Sequence, residues 1–192
     1  SGADRKLLVF AERYSKAVIR GLFPDEDDSG ANPPLYADVL NRNAVEKVLE
    51  LGFDPFYERL KPHFGKTIIG MFTDEPSPTG RGFPGELRPW TSGLLSFMSK
   101  NGIYERDLCR LWDKNGELLS RWNSLCDKLM LETYYKPLSR WCASRNIALT
   151  GHPHAGNDIR SEKFFGIPGQ DVVWRYLIPE SSGGRRRLNG AP

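Results

Sequence analysis

The sequence predicts a parallel α/β protein, about four β/α units of a partial eight-stranded barrel. Two observations carry the prediction. Short, nearly continuous apolar runs of strand length recur along the chain, the pattern of strands buried on both faces. Stretches with helical spacing, long enough to serve as crossovers, separate them. A closed barrel of this kind takes roughly 250 residues, and this chain has 192. It reads as a segment of a longer chain, because half a barrel would leave two strand edges unpaired. The opening Ser1-Gly2-Ala3-Asp4, with no Met and no apolar export segment, reads as a cut.

The first predicted strand is Arg5 to Glu12 (RKLLVFAE). Residues Pro24 to Pro34, rich in Pro, Asp, Gly and Asn, form a loop. A helix begins near Asn43, with Val45, Val48 and Leu49 at helical spacing, and Gly52 and Asp54-Pro55 interrupt it. Asp54 as cap and Pro55 at the first helical position would then start a second short helix, running to Lys61.

Thr67 to Thr73 (TIIGMFT) is the second strand, and Pro76 stops it just past Asp74-Glu75. Ser77 to Pro89 is a long Gly/Pro loop, closed by Trp90-Thr91. Ser92 to Lys100 and Glu105 to Trp112 read as short helices. From Ser120 to Arg145, Trp122, Leu125, Cys126, Leu129, Met130, Leu138, Trp141 and Cys142 form a core-facing stripe on one helix. Asn146 to Thr150 is the third strand, ending at Gly151-His152, and Val172 to Ile178 is the fourth.

Composition narrows the function classes. Hydrophobic residues make up 39% and charged residues 27%, which suits a folded globular chain. No apolar run approaches the ~20 residues needed to cross a bilayer, so no membrane partner is expected. The net charge of +3 owes much to Arg185-Arg186-Arg187 in the tail. The rest is close to neutral, which leaves no nucleic-acid footprint. Cys109, Cys126 and Cys142 have no CxxC spacing and read as small buried hydrophobes.

In parallel α/β folds reactive groups gather at the C-terminal ends of strands. Here those ends offer Glu12, Asp74-Glu75, His152 and Glu180. Glu75 is the strongest candidate, because a carboxyl at the rim of an apolar strand is partly desolvated and can hold a proton near neutral pH. A salt bridge to Arg81 or Arg88 is the structural alternative. Strand alternation turns Asp74 to the other face. Trp90 offers an aromatic platform for a sugar ring or plugs the barrel mouth. His152 and His154, with Asp158 behind, have the look of a zinc site. A His152 that hydrogen-bonds substrate or a catalytic carboxylate is the simpler reading, so no metal or other cofactor is expected.

The stretch Lys66 to Pro76 (KTIIGMFTDEP), followed by Pro89-Trp90-Thr91, resembles bacterial glycoside hydrolases of the α-L-rhamnosidase type. Tyr36 to Asn41 (YADVLN), Thr150-Gly151-His152 and Ile167 to Asp171 (IPGQD) resemble the same group, over about residues 5–180. The resemblance implies a TIM-barrel catalytic domain over 5–180 that cleaves glycosidic bonds in large, exported, multidomain enzymes. That in turn implies an extracellular or periplasmic setting and a carbohydrate substrate. Glu75 matches the general acid. Glu180 and Asp171 are open as the second carboxylate, as is a residue beyond this segment. Trp90, His152, Asp74 and Glu12 would line the sugar site. The alternative is a glycan-binding or degenerate remnant of such a barrel. Two features depart from the group: the break at Gly52 and Asp54-Pro55, and the Gly/Arg-rich tail Ser181 to Pro192, expected to be disordered.

Overall fold

The computed structural model describes residues 7–14, 35–80, 87–113, 116–154 and 159–169. The chain forms two compact units, one from Ser1–Tyr36 with Pro78–Lys128, the other from Ala37–Ser77 with Leu129–Pro192.

In the first unit, residues 7–14 have no regular structure and are exposed, so the strand expected over Arg5 to Glu12 does not form there. Its apolar run is spent on the surface, with Leu7 at 88% and Val9 at 81% exposure. Phe10 is the residue of this stretch that finds a ring, Trp112, 5.6 Å away. α3 (Leu94–Lys100) buries Leu94 and Met98, and the 3₁₀ helix Glu105–Trp112 buries Leu108 and Leu111. Asp107 fixes the start of that helix by accepting from the backbone N–H of Tyr104 at 2.9 Å. α4 (Glu117–Met130) adds the fully buried Trp122 and Cys126 to the core. Burying a large side chain of this kind contributes about 1.5–3 kcal/mol.

The second unit begins with α1 (Arg42–Val48), whose cap Asn41 accepts from the backbone N–H groups of Asn43 and Ala44. The predicted interruption near Gly52 does not break the helix. A π-helical turn over Leu49–Phe53 carries it into α2 (Asp54–Leu60). The backbone N–H of Asp54 reaches five residues back, to Leu49. Pro55 has no N–H to offer the next carbonyl, so the wider turn is where the ladder can skip a bond. Asp54 is not the cap expected of it. Its Oδ1 accepts from Trp141 Nε1 at 2.8 Å and from Arg145 Nη2 at 2.6 Å. The Arg145 guanidinium also lies over the rings of Trp141 and Tyr57.

The same device recurs in the stripe helix. α4 passes through a π turn, Leu131–Tyr135, into α5 (Lys136–Ala143), and Pro137 again follows the turn by two residues. The Thr133 hydroxyl, inside this turn, donates to the carbonyls of Val39 (2.8 Å) and Leu129 (3.1 Å) as alternatives. α5 packs on β2 (Ala148–His152) and on α1. Buried Cys126 and Cys142 behave as the hydrophobes expected, with burial pushing both thiols up to about 12. Cys109 departs from that reading and is exposed.

β1 (Gly70–Asp74), β2 and β3 (Ile167–Pro168) form a parallel sheet in that order. Asp74 lies opposite His152, Phe72 opposite Thr150, and Thr150 opposite Ile167. Met71, Thr73, Leu149 and Gly151 form the buried face, while Phe72, Asp74, Thr150 and His152 on the other face are exposed or half-exposed.

This overturns the partial barrel. The strands among the described residues have five, five and two residues, too little sheet for about four barrel units of usual strand length. The apolar runs are real, but most of the described residues lie in helices and loops, and the sheet is small. The fourth predicted strand, Val172 to Ile178, and the tail 181–192 lie outside the described residues.

Candidate functional site

The C-terminal ends of β1 and β2 bring two of the predicted residues together. His152 Nδ1 lies 3.3 Å from Asp74 Oδ1, and both side chains are partly exposed, at 25% and 33%. The parallel register places them directly opposite each other. In the tautomer that carries its proton on Nδ1, this N–H donates to the carboxylate and Nε2 is the acceptor nitrogen.

Glu75 follows directly. Its backbone N–H donates to the carbonyl of His152 at 3.2 Å, so the ladder is drawn one residue beyond β1. Its φ is +43°, one of two positive values among the described non-glycine residues. Left-handed backbone at a non-glycine position costs of order 1 kcal/mol or more, and it concentrates at functional sites. It also ends the strand alternation at Asp74, so the simple opposite-face rule does not reach Glu75. The side chain is exposed, contrary to the expected desolvated rim.

The desolvated carboxylate is Glu162, in the 3₁₀ turn Glu162–Phe164 that precedes β3. Its Oε2 is buried with no hydrogen-bond partner. Burial raises its pKa, and the nearby His152 partly offsets the rise. Sequence reasoning missed Glu162, an ordinary acidic residue in a loop with no motif around it.

Tyr134 and Tyr135, from the second π turn, support the strand ends. Tyr134 Oη and Thr73 Oγ1 share a 2.7 Å hydrogen bond, and burial pushes the phenol's pKa up. Tyr135 Oη accepts from the backbone N–H of His154 at 2.8 Å, which fixes the chain just past His152. No group of three or more His, Cys, Asp or Glu side chains placed for a metal occurs among the described residues. Asp158 lies outside them, as do Glu180, Asp171 and Arg81.

The remaining predicted residues belong to the first unit. Glu12 is exposed and does not end a strand. Trp90 stacks on buried Trp122, centroids 6.1 Å apart and planes 15° from parallel, and keeps 36% of its surface exposed. Arg88 donates to the carbonyl of Leu111 and lies over Trp112. Compared with protein-family models, with curated proteins and with solved structures, the chain matches none.

Proposed function

We propose that the second unit hydrolyses a glycosidic bond by general acid–base catalysis at the ends of β1 and β2. The observation that carries this reading is the Asp74–His152 pair beside the strained, exposed Glu75. Glu75 protonates the departing glycosidic oxygen as its bond to the anomeric carbon breaks. His152 Nε2 takes a proton from the water that attacks that carbon, with Asp74 holding the imidazole through Nδ1.

The sugar comes from the resemblance of KTIIGMFTDEP and its companion stretches to α-L-rhamnosidase-type enzymes. The same resemblance supplies an exported setting and a larger parent chain.

Glu75→Gln tests the reading, since it preserves shape and removes the proton. Hydrolysis of 4-nitrophenyl α-L-rhamnopyranoside should fall by about 100-fold or more, with the thermal unfolding curve unchanged. Turnover retained in that variant overturns the assignment.

A further inference from the structure

We infer that the open face of the sheet is a sugar-binding platform with Phe72 as its stacking residue. The inference rests on the glycosidase reading above and adds the subsite that holds the ring.

Parallel sheets are ordinarily covered on both faces. Here Phe72, in the middle of β1, is 58% exposed. Strand alternation puts Phe72 on the same face as Asp74, and the register extends that face across the sheet. Phe72, Thr150 and Ile167 form one row, and Ile167 is 44% exposed at its far edge. Asp74 and His152 form the next row, toward the strand ends.

Two residues along a parallel strand span about 6.6 Å, so the apolar row and the hydrogen-bonding row lie one sugar ring apart. The Phe72 ring stands nearly perpendicular to the His152 ring, at 78° with centroids 5.2 Å apart. That contact ties the platform to the acid–base pair. Gly70, two residues before Phe72 on the same face, places no side chain beside the ring.

A pyranose ring is the occupant this pattern fits. One of its faces presents C–H groups to an aromatic ring, and its edge presents hydroxyls. The second row, where Asp74 and His152 bond each other, is polar and partly exposed, which suits hydroxyls and makes covering it with an apolar protein partner costly. The predicted platform was Trp90. The geometry moves that role to Phe72, on the sheet that carries the acid–base pair.

Saturation-transfer NMR with methyl α-L-rhamnopyranoside reads binding itself, and the turnover-deficient Glu75→Gln variant keeps the glycoside intact. The wild-type protein, Phe72→Trp and the turnover-deficient Glu75→Gln should all transfer saturation to the sugar's C–H protons. In Phe72→Ala the dissociation constant should rise about tenfold or more. Phe72→Trp guards against a misfolded alanine variant, since it restores the ring without restoring phenylalanine. Undiminished transfer in Phe72→Ala overturns the platform even if Glu75→Gln proves the hydrolase reading right. Absence of transfer in the wild type overturns it as well. Binding that depends on Phe72 with no hydrolysis by the wild type upholds the platform and sinks only the catalytic reading.

Discussion

The two faces of the small sheet have opposite characters, although the same strands build both. On one face Met71, Thr73, Leu149 and Gly151 are buried, and the one hydroxyl among them is matched by Tyr134 at 2.7 Å. On the other, Phe72, Asp74, Thr150 and His152 reach solvent. Space and hydrogen-bond matching dominate the first face, and accessible chemistry dominates the second. Substitutions on the buried face should therefore change stability, and those on the open face should change binding and turnover.

The largest effect should come from Gly151→Ala. Gly151 has φ +126°, and a Cβ there would overlap the backbone oxygen of Thr73. The strands cannot separate without losing the ladder, so the loss should reach about 3–5 kcal/mol. A thermal melt should show the second unit unfolded or nearly so. A melt close to wild type would mean that the strand pairing tolerates rearrangement and that the buried face is looser than its packing indicates.

Thr73→Val comes next. It keeps the side chain's shape and leaves the buried Tyr134 hydroxyl without that partner, at about 1–2 kcal/mol. Urea unfolding measures it. If Tyr134→Phe restores most of the loss in the double variant, the pair is what matters and not the strand.

A smaller effect concerns Glu162. Burial raises its pKa in the folded protein, so the native state keeps this proton to a higher pH than the unfolded chain does. Between those two pKa values the native state binds more protons, and stability falls as pH rises. The contribution is complete below the ordinary carboxylate range and is lost as pH climbs through the raised value. Glu162→Gln should flatten that part of the stability profile. The smallest stability change is expected for Phe72→Ala, within about 0.5 kcal/mol at so exposed a position, even though its effect on sugar binding should be large.

The contrast also explains what could be read from sequence. The runs around Met71 and Leu149 were legible as strands, and the Trp122-to-Cys142 stripe was legible as helix, because burial periodicity is local. Leu7 to Phe10 has the same local signature and stays on the surface, because an apolar run becomes a strand only where a neighbour pairs with it. Asp74 and His152 could be named individually, since strand ends follow from Pro76 and Gly151. Their pairing could not, because it depends on the register between strands 78 residues apart in the chain. Glu162 was invisible for the same reason: its burial comes from the fold around it and not from its neighbours in sequence.

The two π turns bear on how this chain tolerates insertions and deletions. A helical residue advances about 100° around the axis, so the extra residue in each turn rotates everything after it by that amount. Removing one residue from Leu49–Phe53 would return that segment to ordinary pitch and swing Asp54 away from Trp141 and Arg145. Removing one from Leu131–Tyr135 would swing Trp141 and Cys142 off the side of α5 that packs on β2 and α1. Each turn thus works as a phase shifter that sets which side of the following helix faces inward.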